Sequence, residues 1–327
     1  MTLTLLLGDC RVRLTELPAE SVHMIVTSPP YFGLRSYGIG TENGEIGLEA
    51  TPDAYVAELV AVFRECRRVL RRDGTCWVNL GDAFASKQLL GIPWRVAFAL
   101  QADGWWLRSE IIWRKENPMP ESVVDRPAKS HEQIFLFAKS ARYYYDATAV
   151  AEEVLPGSTR NLRDVWSVAT QPFAGSHFAV FPADLIEPCI KAGTSERGCC
   201  AKCGAPWVRE VERTLMVLDR SERTHELGRT RSSGTMVSPP SSKTLGWSPS
   251  CSCDAAATGP RVKPEDDPVV PAVVLDPFFG AGTTGLVADR LGRDCIGIDL
   301  SAEYAAMAEH RLRQDAGLFF NIALGNR

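Results

Sequence analysis

The chain has 327 residues, 45% of them hydrophobic and 23% charged, with 36 Lys+Arg against 40 Asp+Glu and a net charge of −4. This is the composition of an ordinary soluble globular protein of about two domains, and it excludes a disordered, collagen-like or coiled-coil chain. No apolar run approaches the roughly 20 residues that cross a bilayer, and Met1 to Asp9 lacks the basic start and long apolar stretch of a signal peptide. A cytoplasmic protein without membrane partners is expected, with its ten cysteines reduced, so that clustered cysteines suggest metal ligands before disulfides.

Leu3 to Leu7 reads as a short strand ending at Gly8-Asp9. Val22-His23-Met24-Ile25-Val26 is almost continuously apolar, as in a strand covered on both faces. It stops at Thr27-Ser28-Pro29-Pro30-Tyr31, where two prolines forbid further ladder pairing. A Gly-rich loop follows from Gly33 to Gly47. Thr51-Pro52 opens a helix in which Val56, Leu59, Val60, Phe63, Cys66, Val69 and Leu70 repeat at helical spacing, and Asp73-Gly74 is expected to end it. Strands are expected at Thr75 to Leu80, Ser109 to Trp113 and Gln133 to Ala138, with a helix from Trp94 to Ala102. This alternation predicts an α/β fold with a largely parallel sheet.

Between about 196 and 267 the character changes. Clustered cysteines and a polar run from Ser221 to Ser242 mark an inserted small module with a flexible loop. After the stretch Pro264 to Pro268 the α/β pattern resumes, with a strand at Val273 to Leu275 and a helix from Gly285 to Leu291. A strand from Cys295 to Ile298 ends at Asp299, and a helix runs from Ala302 to Arg313. The chain thus divides into a first catalytic part (1–195), the module (196–267) and a second, cofactor-binding part (268–327).

Asp276-Pro277-Phe278-Phe279-Gly280-Ala281-Gly282-Thr283-Thr284-Gly285 lies between a strand and a helix. Glycines there allow a tight turn and close approach to a ligand, and the helix start offers free N–H groups. Asp299, at the end of the next strand, is placed to accept both hydroxyls of a ribose. The spacing Gly280-x-Gly282-x-x-Gly285 also fits a dinucleotide fingerprint, so an oxidoreductase stays open, as does a tight turn without a ligand.

Ser28-Pro29-Pro30-Tyr31 sits at the carboxyl end of a buried strand, where open α/β sheets place their ligand sites. The prolines fix the carbonyls near Ser28 and Pro29 as inward acceptors. Tyr31 offers a flat ring on which an extruded nucleobase stacks while Ser28 and a carbonyl hold its exocyclic amine. Such acceptors free the amine lone pair, otherwise delocalised into the ring. The plain alternative is an edge-strand stop. Ser238-Pro239-Pro240-Ser241 shares three of the four residues, but with no expected strand before it and no aromatic it reads as loop.

Cys200-x-x-Cys203-Gly204 has the hairpin spacing of one half of a tetrahedral metal site, and Cys251-x-Cys253 supplies the other pair. Four thiolates suit a structural zinc, with Cys199 a fifth candidate and a redox pair or unligated thiols as alternatives. Arg64, Arg67, Arg68, Arg71 and Arg72 read as a solvated cluster complementing a helix dipole rather than a phosphate track. Arg220, Arg223, Arg229 and Arg231, beside the cysteines, are the better candidates for DNA contact. His23 and His310 read as structural.

Together, Thr27-Ser-Pro-Pro-Tyr31 and Asp276-Pro-Phe-Phe-Gly-Ala-Gly-Thr283 resemble the amino-methyltransferases of DNA, which use S-adenosylmethionine to methylate N4 of cytosine or N6 of adenine. The tetrapeptide precedes the cofactor loop, as in the circularly permuted β group of that family. The resemblance implies a Rossmann-like methyltransferase fold over most of 1–195 and 268–315, of restriction-modification or phage/orphan type, with double-stranded DNA as partner; a second copy of the chain is a further candidate. It implies Ser28, Pro29, Pro30 and Tyr31 as catalytic residues. Asp9, in Leu7-Gly8-Asp9-Cys10, would meet the cofactor adenine. Trp77 to Asp82 and Ile112 to Pro118 would flank the target base. Phe181, in His177 to Pro182, would close over the methionine end. Asp276, Phe278, Gly280, Ala281, Gly282 and Thr283 would line the methionine and ribose side, with Asp299 on the ribose. Serine before Pro-Pro favours cytosine N4, with adenine N6 and an inactive zinc-containing DNA-binding protein as alternatives.

Overall fold

In the computed structural model the strands of both outer parts join one mixed sheet of nine. The structure describes residues 2–33, 45–155, 158–171, 181–214, 217–219, 235–238, 241–253, 269–316 and 321–324. The polar run 220–234 with its four arginines, the stretch 264–268, the segment 177–180 and most of the Gly-rich loop lie outside them.

In chain order the sheet and its flanking helices are β1 (Thr2–Leu7), α1 (Cys10–Glu16), β2 (Val22–Thr27), α2 (Pro52–Val69), β3 (Leu70–Leu80), α3 (Ile92–Ala102), β4 (Trp106–Lys115), β5 (His131–Ala138) and β6 (Val165–Val168). They continue with α4 (Ala183–Gly193), β7 (Val273–Asp276), α5 (Thr283–Arg290), β8 (Asp294–Asp299), α6 (Ala302–Ala316) and β9 (Asn321–Leu324). The sheet order is β6-β4-β5-β3-β2-β7-β8-β1-β9. Every neighbouring pair is parallel except the two made by β5, which runs against β3 and β4.

Alternation along the buried strands divides the core into two layers. Leu5, Met24, Val26 and Trp77 face a layer closed by Leu185, Ile190 and Leu286 of α4 and α5 and by Leu312 of α6. Leu6, Ile25, Cys76 and Val78 face the layer of α1, α2 and α3. Helix α2 opens on Thr51, whose hydroxyl accepts from Ala54 N–H, with Pro52 in its first turn. Its fully buried Tyr55, Leu59, Val62 and Phe63 contribute about 1.5–3 kcal/mol each, so packing holds this helix more than propensity does.

The expected elements are present with adjusted ends. The helix stop expected at Asp73-Gly74 falls inside β3 instead. Leu70 is already extended (φ −68°, ψ 137°) and pairs with Val22 across the sheet. A Cβ on Gly74 would lie 2.6 Å from Leu70 Cδ1 and 2.8 Å from His23 O, so the glycine serves a close approach in a bulged strand. Of the arginines near the end of α2, Arg64 pairs with Asp103, Arg68 with Glu65 and Arg71 with Asp73.

The module contains an antiparallel pair of strands, Trp207–Thr214 and Ser241–Pro249, the second starting at the end of the polar run. Ser238 also departs from expectation, because it ends the strand Thr235–Ser238. The two-residue strands Cys199–Cys200 and Val269–Val270 pair at the module's base.

Candidate active site and metal centre

The carboxyl ends of β1, β2, β7 and β8 open into one cleft of about 1010 Å³, its open mouth included. Ser28, Pro30, Asp9, Phe181, Asp276, Phe278, Gly280, Ala281, Thr283 and Asp299 all line it. Pro29, Tyr31 and Gly282, also named from sequence, are not among the residues that line it.

The two motifs, far apart in sequence, are tied by one buried carboxylate. Asp276 Oδ1 accepts from Thr27 Oγ1 at 2.6 Å and from Phe278 N at 3.1 Å, and Oδ2 accepts from Thr284 Oγ1 at 2.6 Å. Burial pushes its pKa up to about 6. Asp299 accepts from Gly280 N at 2.7 Å and Ser301 N at 2.8 Å, and burial raises it too to about 6. Gly282 (φ 77°) caps α5, and a Cβ there would lie 3.0 Å from Ala308 Cβ. Gly285 and Gly297 sit against the ring of Phe279, leaving no room for a side chain.

Asp9 caps α1, accepting from Arg11 N at 2.8 Å, and its carboxylate is paired with the Arg11 guanidinium at 2.6 Å. At the other wall, Pro30 O accepts from Tyr55 OH at 2.7 Å, which fixes the turn onto α2. Tyr31 lies over Gly81, where a Cβ would come within 2.4 Å of its ring. Its hydroxyl donates to Glu132 Oε2 at 2.7 Å and accepts from Asn79 Nδ2 at 2.8 Å. Burial, then the Glu132 charge, raises the phenol well above its ordinary range.

Sequence reasoning missed Glu45, Ile46 and Tyr304, which also line the cleft, and Glu132 behind it. None carries a local motif; tertiary folding alone brings them in.

The cysteine module resolves five candidates into four. The sulfur atoms of Cys200, Cys203, Cys251 and Cys253 all lie within 4.8 Å of one another. A tetrahedral zinc with Zn–S of about 2.3 Å requires S···S of about 3.8 Å, so small side-chain movements suffice. The Ala205 N–H lowers the pKa of the Cys203 thiol, which favours a thiolate. Cys199, adjacent in the same strand, points to the opposite face and is buried there.

The family model described as DNA methylase matches residues 22–201 and 270–310, which leaves most of the module outside the match. The type II methyltransferase M.Cfr9I of Citrobacter freundii is 39% identical over 98% of this chain and 91% of that protein. The chain belongs to the DNA methylase family. It is therefore an N4/N6-type DNA amino-methyltransferase, and the oxidoreductase reading of Gly280-x-Gly282-x-x-Gly285 is set aside. Among solved structures, TTHA0409 from Thermus thermophilus, complexed with S-adenosyl-L-methionine, matches with a TM-score of 0.57 and 20% identity over 99% of each chain. The PvuII DNA methyltransferase (cytosine-N4-specific) matches with a TM-score of 0.60 and 19% identity over 95% of this chain and 86% of that one. These likenesses show the fold, the Rossmann-like α/β sheet of S-adenosylmethionine-dependent methyltransferases.

Proposed function

We propose that this DNA methylase transfers a methyl group from S-adenosylmethionine to the N4 amine of a cytosine turned out of double-stranded DNA, within the circularly permuted β group. The observation that carries the reading is the junction of the two motifs: Ser28 and Pro30 open onto the cleft that Gly280 and Asp299 line, and Asp276 pins both. The cofactor, when bound, supplies an electrophilic methyl group. Asp299 accepts from the ribose hydroxyls, while the Gly280 to Thr283 turn and Phe278 enclose the ribose and methionine side. Asp9 stands on the adenine side and Phe181 on the methionine side. Ser28, with the Pro29 carbonyl, accepts from the amine N–H groups and so leaves the nitrogen lone pair to attack. Positioning of the two substrates supplies much of the acceleration. Cytosine is favoured by serine before Pro-Pro.

Residues 196–267 form, in this reading, a module that helps to read DNA. Cys200, Cys203, Cys251 and Cys253 hold a structural zinc with no open position.

Nucleoside mass spectrometry of DNA incubated with the protein and S-adenosylmethionine tests the reaction. N4-methylcytosine is expected, falling about 10²-fold or more in Ser28→Ala, the scale of one lost transition-state hydrogen bond. N6-methyladenine would overturn the base assignment. No methylated base on DNA of varied sequence would overturn the reaction.

A further inference from the structure

Behind the Ser28 turn lies a half-buried ion pair. Glu132, on the antiparallel strand β5, has a side chain only 12% exposed, and Lys115 of β4 donates to its Oε1 at 2.6 Å. Its Oε2 receives two more donors, Tyr31 OH at 2.7 Å and Asn79 Nδ2 at 2.9 Å. Ser28 Oγ lies 3.3 Å from Tyr31 OH, and Asn79 Nδ2 lies 3.5 Å from Ser28 Oγ.

We propose that Glu132 is a positioning residue that sets the direction of these hydrogen bonds, so that Ser28 meets the target amine as an acceptor. This deepens the reading of methyl transfer to an exocyclic amine and rests on it.

The argument is a count of protons. Paired with the Lys115 ammonium, Glu132 is a carboxylate, which accepts hydrogen bonds and donates none. Tyr31 has a single proton, and the bond to Glu132 uses it. The phenol oxygen is left with acceptor capacity only. Asn79 fills part of it, and its amide is oriented by this arrangement, since the flipped form would turn Oδ1 towards the Glu132 carboxylate. The Ser28 hydroxyl can bond Tyr31 only by donating its own proton. What Ser28 then presents to the cleft is lone pairs. An amine N–H finds an acceptor there. With the chain reversed, Tyr31 would donate to Ser28, and the Ser28 proton would turn into the cleft. It would compete for the nitrogen lone pair that has to attack. Burial keeps Tyr31 protonated and in this role.

Glu132→Gln preserves the volume but gives residue 132 an NH₂ that can donate to the phenol and release the order. The experiment measures steady-state methylation by the full-length wild type, Glu132→Gln, Tyr31→Phe, Ser28→Ala and the double variant Glu132→Gln/Ser28→Ala. Circular dichroism and S-adenosylmethionine binding confirm that each one folds. Glu132→Gln and Tyr31→Phe are each expected to lose about 10- to 100-fold in kcat, the scale of one charge-assisted hydrogen bond, with the KM for DNA changed less than about twofold. Adding Glu132→Gln to Ser28→Ala is expected to cost less than about a further twofold, because the two act as one unit. A merely structural ion pair would multiply the two losses, and that result overturns the inference, as does a wild-type kcat in either Glu132→Gln or Tyr31→Phe. A wild type that methylates no base overturns the functional reading and this inference with it; an active wild type with multiplying losses overturns the inference alone.

Discussion

At the scale of single residues, the cleft uses two aspartates with similar pKa values for different ends. Asp276 spends its oxygens on Thr27, Thr284 and the Phe278 N–H, so its work is to hold the two motifs together. Asp299 takes two backbone N–H groups and still borders the cleft. Its rise from 3.8 to about 6 corresponds to about 3 kcal/mol, favouring the protonated form in the unliganded fold. The folded chain therefore binds this proton more readily than the unfolded one. Asp299 adds stability at acid pH, and that contribution is lost as pH rises through about 6. In the proposed reading ligand binding runs the opposite way, because ribose hydroxyls need the carboxylate. The affinity for S-adenosylmethionine, measured by calorimetry between pH 5 and 8, is expected to fall as pH drops through about 6. Asp299→Asn should bind more weakly at pH 7.5 and lose most of that slope. An unchanged slope in the variant would remove Asp299 from the cofactor's contacts.

At the scale of elements, the turn into α5 depends on a glycine for two separable reasons. Gly282 has φ 77° and also sits under Ala308 of α6, whereas Gly292 has φ 73° and open space within 4 Å of where a methyl would stand. Gly292→Ala is expected to cost only backbone strain, about 1 kcal/mol, and Gly282→Ala about 1–3 kcal/mol more, because α5 and α6 must part to accept the methyl. Equal shifts of the two variants in urea unfolding would show that the helix contact is soft. The same reasoning explains which elements were legible in the sequence. β2 and β7 are apolar on both faces, and α2 carries a buried stripe, so their patterns are strong. Helix α1 has only seven residues and buries just Cys10 and Leu14, too few for a period to emerge. β6 and β9 are four-residue edge strands. The Trp207–Thr214 strand is largely exposed after Trp207 and has no apolar face to reveal it. Asp73-Gly74 misled because a strand-to-strand contact required the glycine. The site divides in the same way. Ser28 to Tyr31 and Asp276 to Thr283 are contiguous and readable, whereas Glu132 reaches Tyr31 only through the pairing of β5 with β3.

At the scale of the whole molecule, the cysteine module is fastened to the strand that leads into the Ser28 to Tyr31 turn. Val273 N donates to His23 Nδ1 at 3.0 Å, so the ring's proton is on Nε2, which donates to Gly204 O at 2.9 Å. Burial lowers this histidine to about 4, which keeps it neutral and the bridge intact at neutral pH. Arg71 Nη1 donates to Cys203 O at 2.8 Å, and Arg209 pairs with Asp146 at 3.0 Å while lying 4.3 Å from the Trp247 ring centre. The cysteine knuckle is thus held by β2 and β3 at one end and by the module's strand pair at the other. The sheet, by contrast, has its own two-layered core and owes little to the module. Removal of zinc should therefore be felt unevenly. Elemental analysis of the purified protein is expected to give one zinc per chain. After chelation, hydrogen exchange should accelerate in 207–214 and 241–249, while 22–27 and 273–276 keep their protection. Affinity for S-adenosylmethionine should change less than about twofold, since none of the four cysteines borders the cleft. A metal-free protein with a fully protected strand pair would refute the zinc site. Loss of protection throughout the sheet would show instead that the module holds the core together, against the independence argued from its few points of attachment.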